Sequence, residues 1–124
     1  MFYQKKEAGI TDLKNAITAI ILLIIVIGLV IANSIIVSNI TDRLLELTDN
    51  PDINELYYYW KEKYYFLSLS ANAKILEETE KALSDMKSYK ESGSEDEFLA
   101  AKERFLNYID EIAMGEKVVF HNIF

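Results

Sequence analysis

The chain of 124 residues contains no cysteine. That excludes a disulfide framework, a thiolate metal site and a cysteine nucleophile, and leaves the redox compartment unspecified. There is one histidine, His121, in a tail with no acid close in sequence, so metal centres lose their commonest ligand and a serine nucleophile has a single candidate base. Proline occurs once, at Pro51, which leaves long helices unbroken elsewhere. The four glycines are scattered at 9, 28, 93 and 115, so no phosphate-cradling loop is present. The carboxylates fall on polar helix faces, away from the apolar settings that raise a pKa for acid–base work. The expectation is a protein that is not an enzyme, with no catalytic residues, no metal and no cofactor.

Positive charge is also scarce, and unevenly placed. The formal net charge is −7. Residues 1–15 hold three Lys against two acids, a net of +1, whereas residues 39–124 hold ten Lys or Arg against eighteen acids, a net of −8. An acidic outer part argues against nucleic acid and against docking through anionic lipid heads, both of which need a basic face. Its plain role is solubility.

Apolar residues are abundant. Ala16–Ser38, AITAIILLIIVIGLVIANSIIVS, carries no charge, and nothing ionisable lies between Lys14 and Asp42. At about 1.5 Å per residue, this run spans a hydrocarbon core of roughly 30 Å as a helix. It predicts three regions: a head (1–15), a transmembrane helix (16–38) embedded in the lipid bilayer, and a helical domain (39–124). Lys5, Lys6 and Lys14 precede the span, and only Arg43 follows it closely. The positive-inside rule then puts the N-terminus in the cytoplasm and the outer domain outside.

Two other readings of the N-terminal stretch stay open. Val30-Ile31-Ala32 offers small residues for signal-peptide cleavage, but the apolar run continues through Ile35, Ile36 and Val37. A pilin-like leader cut after Gly9 is interrupted by Asp12 and Lys14. Within the span, Gly28 and Ala32 form a small-xxx-small pair, the candidate site for self-association into a homo-oligomer.

Beyond the span, residues 39–49 continue the helix for two or three turns on a stripe of Ile40, Leu44, Leu45 and Leu47. Asn50 as N-cap and Pro51 at the first helical position predict a second helix to Leu67, with Ile53, Leu56, Trp60, Tyr64 and Leu67 inward. A third helix is expected from about Ala71 to Glu91, capped by Ser68 or Ser70, with Ile75, Leu76, Thr79, Leu83, Met86 and Tyr89 inward. Gly93 fits its C-cap, and Ser94 with Glu97 fits a capping box opening a fourth helix. That helix is expected to bury Phe98, Ala101, Phe105, Ile109 and Ile112 and to stop at Gly115, after which the apolar tail packs back. The predicted fold is all-α: one transmembrane helix, then a small three-helix antiparallel bundle.

The second helix has more aromatics than one face can bury. Tyr57, Tyr58, Trp60 and Tyr65, with Phe120 and Phe124 of the tail, are the candidate interaction surface. The bland alternative is that large rings fill a small core.

Trp60-x5-Phe66-Leu67-Ser68-Leu69, the helical hairpin and the ending Gly115-Glu116-Lys117 … Asn122-Ile123-Phe124 resemble an uncharacterised family of short single-pass membrane proteins from clostridia and related Firmicutes. The resemblance covers residues 16–124. That family has an N-terminal span, a W-x5-W-L-S segment and an N-I-L or N-I-F end. Phe66 replaces its second tryptophan, and Ala73 falls about where it often has a histidine, which weakens any role for that histidine. The resemblance implies fold and location, with an accessory role beside other membrane or envelope proteins. Two functions are expected: a membrane-anchored interaction subunit, or a sensor or binding module holding an apolar ligand or lipid between aromatic helix faces.

Overall fold

The computed structural model describes the backbone of residues 2–123 and the side chains of residues 9–115. Four helices follow one another, α1 (Phe2–Leu47), α2 (Ile53–Ser68), α3 (Ala73–Ser92) and α4 (Glu95–Ile123), with no strand among the described residues. The fold is all-α, a long apolar first helix followed by a helical bundle. The chain divides into two compact units, Met1–Ala32 and Asn33–Phe124.

In the first unit, α1 is apolar on every side. Ile17, Ile20, Ile21, Leu22, Leu23, Ile24, Ile25 and Val26 are all about half exposed, and together they cover the full circumference of the helix. Leu13 and Ile10 extend the exposed apolar surface toward the N-terminus. A helix hydrophobic all round suits a medium without water. Gly9–Leu47 is long and apolar enough to cross a membrane once.

The second unit begins at Asn33, ahead of the expected span boundary at Ser38. Its first helical turns bury Val37, Ile40, Thr41, Leu44 and Leu47, and Thr48 just past the helix end is buried with them. These alternate in steps near three and four, a one-sided stripe. The outer turns of α1 thus add a fourth wall to the three-helix bundle. Leu45, expected on that stripe, is 42% exposed. The buried threonines satisfy themselves locally: the Thr41 hydroxyl donates to the Ser38 carbonyl at 3.0 Å and that of Thr48 to Leu45 at 2.6 Å.

The core joins these residues to Leu56, Trp60 and Leu67 of α2, Leu76, Ala82, Leu83 and Met86 of α3, and Ala101, Phe105, Ile109 and Ile112 of α4. Antiparallel order is visible in the cross-helix contacts. Lys87 stands over Tyr57 at 4.5 Å while Lys61 bonds Glu80, and Arg104 meets Asp85 at 3.1 Å while Lys90 covers Phe98 at 5.3 Å.

Helix ends depart from expectation in instructive ways. The N-cap of α2 is Asp52, not Asn50: its extended backbone (φ −91°, ψ 100°) frees its carboxylate to accept the Asn54 N–H at 3.0 Å. Asn50 instead accepts the Asp52 N–H at 2.8 Å, making the turn before the cap, and Pro51 lies outside the helix. Neither serine caps α3. Asn72 accepts the Lys74 N–H at 2.8 Å, while Ser68 donates back to the Tyr65 carbonyl at 2.6 Å and closes α2. Gly93 does cap α3, in the left-handed region at φ 75°, with Ser94 N–H reaching the Tyr89 carbonyl at 3.0 Å. The Ser94 hydroxyl pairs with that of Ser92 at 3.1 Å in place of the expected box with Glu97. Gly115 does not stop α4, which runs on to Ile123; only Gly93 has positive φ among the described glycines. Good helix formers on both sides, Met114, Glu116 and Lys117, outweigh one glycine's cost of about 1 kcal/mol. The expectation that the tail packs back rests on side chains outside the described residues.

Replacing Gly93 with Ala forces a side chain into left-handed backbone, although the added methyl would meet no atom within 4 Å. The expected outcome is a loss of about 1 kcal/mol from backbone strain alone, read by urea unfolding of the detergent-solubilised chain.

Candidate interaction surface

Packing sorts the aromatic residues of α2 by their position around the helix. Leu56, Trp60 and Leu67 share the inward face, so the Trp60 ring is fully buried. It meets Phe105 edge-on at 6.3 Å and Tyr64 at 5.8 Å. Trp60 is therefore part of the core and not of the interaction surface. Its place on the i, i+4 stripe with Leu56 outweighs its membership of the aromatic run. Its indole N–H is buried without a hydrogen-bond partner among the described residues, a desolvation cost of about 1–3 kcal/mol.

Tyr57 is half-buried in the α2–α3 groove, its ring bracketed by Lys87 at 4.5 Å and Lys61 at 5.4 Å. Tyr58 packs its ring edge-on against Tyr57 at 6.1 Å and is 69% exposed. Tyr65 is 67% exposed and leans on Phe66 at 5.8 Å. The structure thus leaves Tyr58 and Tyr65 outward on a well-packed helix, with Tyr57 as a buttress. Phe120 and Phe124 lie outside the described side chains. Phe66 and, just past the helix end, Leu69 are exposed as well. Gly28 and Ala32 are exposed on the span, and a side chain at Gly28 would meet nothing within 4 Å.

Several lysines on the polar surface are held by acids. Lys61 bonds Glu80, Lys81 lies 3.4 Å from Glu78, and Lys102 reaches Asp49 at 3.3 Å. An open polar hollow on this side is lined by Lys61, Glu77, Glu80, Lys81, Ser84 and Asp85. The hydrogen bond from Lys61 to Glu80 holds the lysine above its ordinary pKa and keeps it charged. A second hollow, of about 260 Å³ and mostly apolar, lies between Ser70, Ala71, Asn72 and Ile75 on one side and Glu111, Ile112 and Gly115 on the other. No group of three or more His, Cys, Asp or Glu that could hold a metal is present among the described residues. Chemically, the surface offers stacking, hydrogen bonding from phenols and apolar contact.

Tyr59, turned toward the outer turns of α1, has its pKa raised above the usual 10.0, chiefly by burial; Arg43 pulls the other way, and Glu62 and Glu46 add to the rise. Folded Tyr59 holds its proton more tightly than the unfolded chain does. Its contribution to stability is present below the unfolded value and is lost as pH rises through the folded one.

Comparison with protein-family models, with curated proteins and with solved structures finds no match for the chain.

Two outcomes are expected. Trp60→Ala should cost about 3–5 kcal/mol in urea unfolding, whereas Trp60→Phe, which also removes the unpartnered N–H, should cost well under half of that. Between about pH 9 and about pH 11, Tyr59→Phe should lose less thermal stability than the parent, measured by circular dichroism.

Proposed function

We propose that the chain is a non-enzymatic, membrane-anchored helical protein that serves as an accessory or interaction subunit at the cell envelope. In this reading the N-terminus is cytoplasmic and the bundle is extracytoplasmic. One observation carries the proposal: α2 is fixed in the core through Leu56, Trp60 and Leu67, yet presents Tyr58 and Tyr65 outward at 69% and 67% exposure. Tyrosine offers a large contact area at low entropic cost, which is why it is enriched at protein interfaces. The resemblance of its sequence motifs to those of single-pass clostridial membrane proteins is in keeping with the same role. Membrane or envelope proteins are the partners proposed, and self-association through Gly28 and Ala32 is the proposed route to a homo-oligomer.

A second reading is favoured by the apolar hollow of about 260 Å³ between the α2–α3 turn and α4. It would make the bundle a binding module for a small apolar ligand or a lipid chain.

A photoreactive residue at position 58 tests the first reading in native membranes. One discrete crosslinked adduct, absent when the same residue replaces Glu95, is expected. A chain that stays monomeric and without adduct would sink the proposal. Orientation is tested with Ser94→Cys, the sole thiol in the chain. A membrane-impermeant maleimide should label it in intact cells, whereas labelling only after permeabilisation reverses the topology.

A further inference from the structure

We propose that the end of the outer unit carrying the α2–α3 turn is a lipid-docking surface, seated in the interfacial layer of the same bilayer that α1 crosses. The argument starts from chain direction within that unit. Val37, Ile40, Leu44 and Leu47 share one buried core with Leu56, Trp60 and Leu67, and residues 48–52 turn the chain between α1 and α2, so α2 runs back along the last turns of α1. The 16 residues of α2 rise about 24 Å, nearly the rise of residues 33–47. The α2–α3 turn therefore lies at the level of Asn33, where the chain leaves the unit for the apolar stretch. The far part of α4 comes to the same end: Glu111, Ile112 and Gly115 share a hollow with Ser70, Ala71 and Asn72. From Gly115 the α4 backbone continues to Ile123, about 12 Å further.

What is exposed at this end differs from the rest of the bundle. Tyr65, Phe66, Leu69 and Met114 are 67%, 42%, 63% and 54% exposed. Charge changes as well. Residues 63–76 contain Lys63 and Lys74 and no acid, and residues 117–124 contain Lys117 and no acid. They are the two longest acid-free stretches in residues 39–124, and helix direction brings residues 63–76 and the backbone of residues 117–123 to one end. Glu62, Glu77 and Glu78 border the first stretch, and Glu111 and Glu116 lie on the approaching part of α4. The net acidity of the outer unit, which argues against anionic lipid binding by the domain as a whole, is thus displaced from the end where the chain enters the membrane. Amphipathic aromatics with lysines beside them suit the headgroup layer: rings sit at the boundary while ammonium groups reach the phosphates.

Because the chain lacks cysteine, single labels are clean. The full chain is reconstituted in phosphatidylcholine vesicles with an environment-sensitive fluorophore at Tyr65→Cys, Leu69→Cys or, at the opposite end, Glu95→Cys. Nitroxides carried on lipid headgroups and upper acyl chains are expected to quench the labels at 65 and 69 several-fold more than the label at 95, and aqueous iodide to quench them less. Equal lipid quenching at 69 and 95 would overturn the proposal. So would a label at 69 that is shielded from iodide but untouched by lipid nitroxide, since protein would then be the cover. Phe66→Ser with Leu69→Ser alters only exposed side chains, so the thermal midpoint should hold while lipid quenching at 65 drops by more than half. Unchanged quenching in that variant would also overturn it. Neither result depends on a protein partner at Tyr58.

Discussion

One helix has to satisfy two solvents, and the rest of the structure follows from how it does so. Along its inner length, α1 is apolar around the whole circumference, as a helix without water on any side must be. Past Asn33 the requirement changes to a single buried stripe, and the side chains change with it: Val37, Ile40, Leu44 and Leu47 face the core, while Asp42, Arg43 and Glu46 face water. The switch occurs without a break in the backbone. Asn33, Ser34 and Ser38 mark the passage, and no proline or glycine interrupts it.

The bundle divides its aromatics in the same economical way. One indole, Trp60, holds the centre against Phe105 and Tyr64, and its unpartnered N–H is the cost of placing the largest side chain where three helices converge. The tyrosines around it are graded outward. Tyr57 and Tyr59 are half covered and watched by Lys87 and Lys63, whereas Tyr58 and Tyr65 are open. Lysine over an aromatic face shields apolar carbon while keeping a charge in water, so a small domain covers a ring surface larger than its core can absorb.

The inward stripes of α2, α3 and α4 were legible in the sequence because they repeat every three or four residues and Gly93 has one reason to be where it is. The caps were not. Asp49, Asn50 and Asp52 are chemically near-equivalent, and only backbone conformation decides that Asp52 caps while Asn50 makes the preceding turn. Ser68 and Ser70 compete with Asn72 on the same footing. Gly115 reads as a stop, yet the propensity of its neighbours carries α4 through it. Trp60 belonged to two patterns at once, the stripe and the aromatic run, and burial chose the stripe. Exposure at Tyr65, Phe66 and Leu69 is a local matter, but what they adjoin emerges only when chain direction is known.

The α3–α4 hairpin has a consequence for how the second unit comes together. Its helices are joined across Gly93 and Ser94, so its contacts close short loops and form fast. Yet both helices follow α1 and α2 in the chain, and it is their Leu83, Met86, Phe105 and Ile109 that complete the cover over Leu44 and Trp60. During synthesis the stripes of α1 and α2 therefore wait bare until the hairpin has emerged. Assembly of this unit is a race between a late, quick-folding partner and the exposure of the apolar faces it is made to hide.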